Sequence, residues 1–221
     1  MYMVSVARKA GQGARLSSQD SGRGFTAQPR ARRAGGWIER SFVRSNDRHT
    51  WPRSGRITAG GPTTSGLLLF GTRQDGRWRI LYEVHGGGEG AAARRDGAHA
   101  VRVHMSNVMN TPTEVIETEY PLRIERHELR TGSGGAGRHR GGDGLRRVYR
   151  VLAEEARLTT MVERARIAPW GLAGGADGEP SAVWLERDGE RKALRGKGSV
   201  ELRRDDVVIV ETAGGGGWGA A

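Results

Sequence analysis

Six loop-like clusters, five of them rich in glycine and each placed close to short apolar segments, constrain what this chain can fold into. In order they are HGGGEG (85–90), SNVMNTP (106–112), GSGGAG (132–137), GGDG (141–144), PWGLAGG (169–175) and GGGGWG (214–219). Flexible linkers pair glycine with serine and lack apolar neighbours, whereas these clusters end within a few residues of Val, Leu or Ile. Because glycine permits positive φ and close backbone approach, the clusters predict shaped loops on a rigid scaffold. For any single cluster, a long turn in a β-rich domain is an equally good interpretation.

Charge divides the chain into two regions. Residues 1–65 hold twelve basic and three acidic side chains, whereas residues 66–221 hold 24 and 22. The first region combines low hydrophobicity with high net charge, and such a composition cannot offset the entropy lost on ordering. We therefore predict a disordered Arg/Gly/Ser-rich segment at 1–65, followed by one folded domain at 66–221 that is long enough for its own core.

Composition also excludes several classes of protein. The chain has no cysteine, which excludes disulfide frameworks, thiol nucleophiles and cysteine-based metal sites. It shows no secretory signal and no apolar run near the roughly twenty residues that a membrane span needs, so we expect a soluble, cytoplasmic protein with no membrane partner. An organelle transit peptide is an alternative interpretation of the N-terminal segment, but glycines interrupt any amphipathic helix there.

Nucleic-acid binding through the N-terminal arginines is a further alternative. Aromatic residues that could serve there as stacking groups, such as Phe25, Trp37 and Trp51, are sparse, and no folded reader motif accompanies them. We therefore do not expect nucleic acid as a partner.

The folded region is predicted to be mainly β (α+β), a compact mixed β-sheet domain with glycine-rich loops and little helix. Apolar and polar residues alternate in candidate strands at 78–84, 101–106, 122–129, 148–152, 158–162, 182–185, 200–202 and 207–210. A change of phase near Glu125 and Arg126 predicts a β-bulge, and Asp188-Gly189 predicts a turn.

One helix is predicted at residues 112–120. Thr111 can cap it, Pro112 suits its first position, and Pro121 ends it. Val115 and Ile116 would form its small apolar face.

The clusters and the segments between them resemble the B subunit of ATP-dependent hydantoinases. The resemblance rests on YEVHGGGEG (82–90), VHMSNVMNTP (103–112), EYPLRIERHELR (119–130), GGAGRHRGG (134–142), PWGLAGG (169–175) and ETAGGGGWG (211–219). It covers about residues 66–221, and the same module is similar to the C-terminal part of 5-oxoprolinase and of the acetone carboxylase large subunit.

The resemblance implies a hydrolase that opens a cyclic amide such as a hydantoin or 5-oxoproline. A ring amide is stabilised by resonance, and ATP activates it by phosphorylating the carbonyl oxygen. In the family, ATP and Mg²⁺ are held by a partner A subunit with an ATPase fold. No Walker motif is present here, which agrees with nucleotide binding on the partner. Glycine-rich turns could supply N–H donors to the developing negative charge.

The chain departs from the family in its first third. Full B subunits are more than twice as long, and their N-terminal region carries Asn-Asp-Pro-Tyr and His-His-x-Asp-like segments suited to a divalent metal or the substrate. Neither segment occurs here. We therefore expect a truncated or mis-translated N-terminus, an incomplete enzyme that is inactive alone, and no metal bound by this chain.

Several residues are candidates for the site. The catalytic candidates are His104, Asn107 and Asn110, because imidazole titrates near neutrality and each amide can orient a ring N–H and C=O. The predicted substrate or phosphate loops contain Gly86, Gly87, Gly88, Arg138 and Arg140, the arginines as bidentate phosphate clamps. The alternatives are structural: the asparagines could shape a turn, and the arginines could pair with Asp143 or face water. A non-catalytic remnant that docks on an A subunit is the competing hypothesis for the whole chain.

Further histidines and tryptophans have structural roles as alternatives to functional ones. His85 is a second candidate acid or base, although a strand histidine more often only forms hydrogen bonds. Trp170 and Trp218 are expected to pin their loops to the core. The five-residue spacing of His99 and His104 does not match a metal site.

Overall fold

The computed structural model describes residues 58–61, 66–74, 76–102 and 108–221. Within these residues there are nine strands and one α-helix. The strands are β1 (Gly66–Gln74), β2 (Arg77–His85), β3 (Leu122–Arg130), β4 (Gly144–Val151), β5 (Glu155–Met161), β6 (Ala182–Arg187), β7 (Glu190–Ala193), β8 (Lys197–Arg203) and β9 (Val207–Glu211), and the helix is α1 (Thr113–Glu119). The mainly β fold with little helix is confirmed.

The strands form two antiparallel sheets. One has four strands in the order β2-β1-β5-β8, and the other has five in the order β3-β4-β9-β6-β7. The register between β3 and β4 shifts between Ile124 and Arg126, which confirms the predicted bulge. Asp188 and Gly189 have φ of 52° and 81° and connect β6 to β7 as the predicted turn.

A hydrophobic core lies between the two sheets, which therefore form a sandwich. Its buried side chains come from every strand except β7, and they pair across neighbouring strands, as Phe70 does with Leu81 on one side and with Leu158 on the other. From the other sheet come Leu122, Tyr149, Val151, Val183, Leu185, Val208 and Val210. Alternation along each strand places these residues on one face, as expected for half-buried strands.

On β2, large apolar side chains face outwards and the opposite face of the strand is buried, which is the reverse of the usual arrangement. Trp78, Ile80 and Tyr82 are 54%, 65% and 53% exposed, whereas Leu81 and Glu83 on the opposite face are buried. The cause is the pairing with β1, because the inward residues Phe70 and Leu68 stand opposite Leu81 and Glu83. Strand pairing thus decided which face of β2 is buried.

The helix needs one correction. α1 begins after Pro112, which is its N-cap, and no side chain caps it, so the predicted Thr111 cap is wrong. Ile116 is fully buried in the core, whereas Val115 is 46% exposed. Only Ile116 anchors the helix, which ends before Pro121 as predicted.

Two strands were not predicted. β1 contains a continuous apolar run, which periodicity does not separate from other buried segments. β7 is short, charged and fully exposed at the edge of its sheet, so it carries no apolar alternation. The predicted strand at 101–106 is described only at Val101 and Arg102, where Val101 forms a single bridge with Gly87.

Two other predictions concern the limits of the domain. The disordered segment predicted at 1–65 lies outside the described residues except at 58–61, where Ala59 is buried. The predicted boundary at residue 66 stays a prediction. In the part of the chain that the structure describes, no helix has the length and apolar character to cross a membrane.

Candidate functional site

The five glycine-rich clusters meet in one body of closely packed backbone, here called the glycine core. It consists of residues 59–61, 86–92, 97–101, 133–143, 169–179 and 213–219, and most of its glycines are buried. Neighbouring segments are joined by backbone hydrogen bonds, for example from Gly88 N to Ala213 O at 2.9 Å, from Gly142 N to Glu89 O at 2.8 Å and from Gly215 N to Gly142 O at 2.9 Å. These five clusters therefore converge in the folded chain.

Glycine is required in this core mainly for close approach. A Cβ on Gly88 would lie 1.8 Å from Gly142 O, and one on Gly215 would lie 2.0 Å from Glu89 O. Real Cβ atoms do not come within 3.0 Å of such atoms, so any side chain would separate the segments. Comparable contacts below 2.2 Å are found at Gly90, Gly97, Gly134, Gly135, Gly141, Gly142, Gly171, Gly214, Gly216 and Gly217.

The packing also engages the N–H groups that were predicted to hold an anion. Gly87 N donates to Val101 O at 3.1 Å, and Gly88 N donates to Ala213 O. Gly86, Gly87 and Gly88 are buried. A ligand could accept hydrogen bonds from the N–H groups of Gly87 and Gly88 only if these backbone hydrogen bonds were broken. The assignment of the three glycines to a ligand loop stays a prediction.

Polar side chains hold the outer turns of the glycine core together. Asp143 is buried and accepts from Gly134 N at 2.8 Å, and its own N–H donates to His99 Nδ1 at 2.8 Å. Asp96 Oδ1 accepts from Arg140 N at 2.9 Å and lies 3.3 Å from His139 Nδ1. His99 accepts at Nδ1, so its Nε2 carries the proton when the ring is neutral.

Arg138 and Arg140 are separated by His139 in the same glycine-rich turn. Both are exposed, and their guanidinium groups make no hydrogen bond or ion pair with any described residue. The alternative pairing of these arginines with Asp143 is absent from the described contacts, since that carboxylate contacts Gly134 N and His99 instead. The role of these arginines as phosphate clamps stays a prediction.

A second candidate region is a buried ionic cluster where β2 meets β4. It consists of Glu83, His85, Arg147 and Tyr149, which are at most 2% exposed. Arg147 Nη1 donates to Glu83 Oε2 at 2.6 Å, and Arg147 Nη2 donates to Thr111 O at 3.2 Å. The cluster thus ties the two sheets to the segment that precedes α1.

Hydrogen bonds define the protonation of His85. Nδ1 lies 3.2 Å from Gly66 O, a carbonyl that can only accept, so Nδ1 carries the proton. Nε2 therefore accepts from Tyr149 Oη at 2.7 Å. Burial, reinforced by the nearby Arg147 charge, lowers the pKa of His85 to about 3. Burial also raises the pKa of Tyr149, so both groups are neutral at pH 7.

Two more ionisable residues border this cluster. Burial and the Arg147 charge lower the pKa of His127. Burial lowers the pKa of Arg102 as well, and both Arg102 and Arg147 lower the pKa of His85 electrostatically. The positive charges of Arg102 and Arg147 therefore both influence the ionic cluster. Among the residues named here, Glu83 is its one carboxylate.

The ionic cluster was only partly foreseen. The sequence indicated His85 as a candidate acid or base, but no pattern singled out Arg147 or Tyr149. The available signal was the alternation in β4, where Arg147 occupies the same face as the apolar Leu145 and Val151. A charged residue in an apolar phase indicates a buried ion pair.

The catalytic candidates are placed unevenly. His104 and Asn107 lie outside the described residues, and Asn110 is exposed just before α1. Trp170 and Trp218 belong to the glycine core, where Gly60 N donates to Trp170 O at 2.8 Å and Trp218 N donates to His139 O at 2.8 Å. Among the described residues, no group of three or more His, Asp or Glu could hold a metal ion.

The fold class of this protein is a two-sheet sandwich joined to a core of backbone-packed glycines. Comparison with known proteins identifies a family of the same class. The model of the hydantoinase B/oxoprolinase family matches residues 52–221. The chain belongs to this family, which confirms the resemblance found in the sequence.

The relatives are much longer than this chain. An uncharacterized protein of Methanocaldococcus jannaschii, MJ0963, is 43% identical over 145 residues, which are 66% of this chain and 26% of that protein. The 5-oxoprolinase of Dictyostelium discoideum is 35% identical over 153 residues, or 69% of this chain and 12% of the enzyme. The chain therefore spans about a quarter or less of these relatives.

Two solved structures share the fold. The ATP-dependent caprolactamase of Pseudomonas jessenii is 26% identical with a TM-score of 0.65, over 76% of this chain and 31% of the caprolactamase chain. Nucleotide-free acetone carboxylase is 20% identical with a TM-score of 0.63, over 83% of this chain and 28% of the carboxylase chain. The carboxylase likeness shows the fold alone.

Proposed function

We propose that this chain acts within an ATP-dependent enzyme that opens a cyclic amide, with the nucleotide and Mg²⁺ bound by a separate A-type ATPase subunit in the cytoplasm. The family match over residues 52–221 is the observation that carries the proposal. The names of the relatives support the substrate class, since they include a 5-oxoprolinase and an ATP-dependent caprolactamase.

The residues of this chain favour nucleotide binding on the partner. A site for ATP needs free backbone donors for the phosphates, as in a Walker loop. Here the N–H groups of Gly87, Gly88 and Gly142 are bonded to other backbone carbonyls. Activation of the ring carbonyl by ATP would therefore rely on groups from the other subunit.

The role proposed for the glycine core is to position the surrounding turns. Its interlocked backbone fixes the turn that carries Arg138 and Arg140, and Asn110 lies just before α1. A positioned guanidinium can stabilise phosphate or oxyanion charge as it develops. In this proposal the arginines meet the phosphorylated carbonyl, and the amides orient the ring.

A docking subunit without catalytic activity is the second candidate. The engaged glycine N–H groups and the full burial of the ionic cluster favour it, because neither region offers free groups to a substrate. In this case the chain would bind an A-type subunit and contribute only structure.

Co-expression with an A-type hydantoinase subunit separates the two candidates. Phosphate release and ring opening are measured with 5-oxoproline, hydantoin and caprolactam, each with and without ATP. We expect ATP-dependent ring opening of at least one ring, and at least a tenfold loss in the R138Q/R140Q variant. The control is Arg94→Gln, an exposed arginine outside the proposed site.

Co-purification with the A subunit without ring opening of any of the three would favour the docking subunit. Ring opening that is unaffected in R138Q/R140Q would refute the role of the arginines.

A further inference from the structure

The outer face of the five-stranded sheet, opposite the hydrophobic core, carries a cavity that is here called the outer groove. Its volume is about 330 Å³, at the lower end of the range for ligand pockets. All five strands of the sheet contribute lining residues, and none of these residues belongs to the glycine core or to the ionic cluster. The outer groove is therefore a separate feature of the fold.

The floor of the outer groove is apolar. Val148, Val207 and Ile209 form it and are at most 8% exposed, although they alternate along β4 and β9 with residues of the sandwich core. Val148 stands opposite Ile209, and Ile209 stands opposite Trp184, so an apolar row crosses three neighbouring strands. Outward positions of an antiparallel sheet are usually polar. An apolar floor at such positions indicates a surface for another molecule.

Ion pairs hold the charged walls of the outer groove in place. Three pairs line it: Arg146 with Glu211, Arg150 with Glu125, and Arg191 with Glu186. Trp184 is also held, because its Nε1 donates to Glu211 Oε2 at 3.2 Å and the Arg191 guanidinium lies 4.5 Å from its ring centroid. Walls fixed in advance lose less entropy when a ligand binds.

Arg126 is the lining residue that these pairs leave out. It is exposed, and its guanidinium makes no hydrogen bond or ion pair with any described residue. Regular alternation would place Glu125 and Arg126 on opposite faces of β3, but the register shift between Ile124 and Arg126 lets both line the outer groove. Because each of the three wall pairs is neutral as a whole, Arg126 gives the lining one net positive charge.

We propose that the outer groove docks an extended segment of a partner protein that carries one acidic and two large apolar side chains at alternate positions. The acidic side chain pairs with Arg126, and the apolar ones cover Val148 and the Ile209–Trp184 end of the row. Strands are about 4.8 Å apart, so three intervals separate Arg126 from Trp184 by about 14 Å. An extended segment covers about 13 Å between residues i and i+4, which point to the same side.

The walls and the size of the outer groove favour a protein segment over a small acid. Arginine donors and glutamate acceptors on both walls match the C=O and N–H groups of a peptide backbone. A small acid at Arg126 would leave the Trp184 end of the apolar row uncovered. The relatives also support a polypeptide partner, since the matched region is 26% of MJ0963 and 12% of the Dictyostelium 5-oxoprolinase. The inference does not depend on ring opening.

NMR titration of the full chain with short peptides tests the inference. The probe is acetyl-ESVSF-amide, and its controls are acetyl-QSVSF-amide, without the charge, and acetyl-ESASA-amide, without the large apolar groups. The indole N–H signal of Trp184, assigned with Trp184→Phe, reports on the outer groove because this N–H donates to Glu211. We expect the probe to shift this signal and to bind at least fivefold more tightly than either control.

Two variants separate the role of Arg126 from that of overall charge. In Arg126→Gln the affinity for acetyl-ESVSF-amide should fall at least fivefold, to that of acetyl-QSVSF-amide, whose own affinity should not change. Arg77→Gln is the matched control, since Arg77 is an exposed arginine on β2 in the other sheet, and it should keep the wild-type affinity. Both variants should keep the wild-type Tm.

Four results would overturn the inference. They are no shift of the Trp184 signal with acetyl-ESVSF-amide, equal affinity for the Glu and Gln peptides, an equal loss in Arg77→Gln, and a lower Tm in Arg126→Gln. A small acid, 3-phenylpropionate, is titrated alongside. If it binds through Arg126 as tightly as the pentapeptide does, the outer groove is a small-molecule site and the docking of a protein segment is wrong.

Discussion

The sandwich core and the glycine core of this protein are both close-packed, but by opposite means. Between the sheets, side chains such as Phe70, Leu158 and Val208 fill the interior. In the glycine core, backbone atoms of one segment pack directly against backbone atoms of another segment. This is possible because glycine has no side chain. The first core is weakened when atoms are removed, and the second when atoms are added.

The two cores also differ in what holds them together. Burial of apolar area stabilises the sandwich, whereas the glycine core contains few large apolar side chains and depends on hydrogen bonds between backbones. Ordering glycine is entropically more costly than ordering other residues. An extensive network of bonds is therefore needed to offset this cost, and most glycine N–H groups are committed to it.

The largest expected effect is that of one added methyl group in the glycine core. In Gly88→Ala the new Cβ would lie 1.8 Å from Gly142 O and 2.4 Å from Gly215 N, both backbone atoms. Three segments would have to separate, so we expect a loss of more than about 5 kcal/mol in unfolding free energy, or no folded protein. Denaturant unfolding measures the change.

Gly198→Ala is the matched control. A Cβ at Gly198 meets nothing within 4 Å, so this variant should unfold within about 0.5 kcal/mol of the wild type. Similar stabilities for the two variants would show that the glycine core yields as readily as a loop.

In the sandwich, removal of atoms has the next largest effect. Leu158 is fully buried, and Leu158→Ala should lower the unfolding free energy by about 2–5 kcal/mol through lost burial and a cavity. The near-isosteric Leu158→Met should cost less than about 1.5 kcal/mol. If Leu158→Met were as harmful as Leu158→Ala, the sandwich would be as intolerant of shape change as the glycine core.

The smallest effect concerns His85, which joins the two cores as the last residue of β2. Its pKa is about 3 in the folded chain and 6.5 when unfolded, so the unfolded chain binds the proton first as pH falls. Stability is therefore complete above pH 6.5 and declines towards pH 3. We expect a loss of about 2 kcal/mol between pH 7 and pH 5 from this group. Urea unfolding across this pH range measures it.

The slope with pH, and not the absolute stability, is the decisive quantity. His85→Gln should have a shallower slope, although loss of its hydrogen bonds lowers its stability at every pH. Gly198→Ala provides the control, since it changes no titratable group and should keep the wild-type slope. An unchanged slope in His85→Gln would mean that His85 is accessible to protons in the folded protein.

Much of the fold was predictable because strands, bulge and turns are local features. Alternating side chains and the change of phase near Glu125 indicated β3 and its bulge, and Asp188-Gly189 indicated a turn. Burial on β2 was not predictable in the same way. Its large apolar residues Trp78 and Ile80 face outwards because pairing with β1, a long-range contact, decides the inner face.

The candidate site was less predictable than the fold. Glycine clusters were expected to present N–H donors to a ligand, but Gly87 and Gly88 donate to segments far away in the sequence. Arg147 and Arg102 were not singled out at all. Their significance depends on which acceptors surround them, and no local pattern contains that information.

The sequence by itself determined the family, the order of the glycine clusters and the β character of this protein, because motifs and alternation are patterns of residues that are close together in the sequence. Only the tertiary structure decided that the glycines pack against one another, that Glu83 and Arg147 form a buried pair, and that Arg102 has enclosed donors without acceptors. The physical reason is that packing and desolvation depend on which distant segments meet, and these contacts exist only in the folded chain.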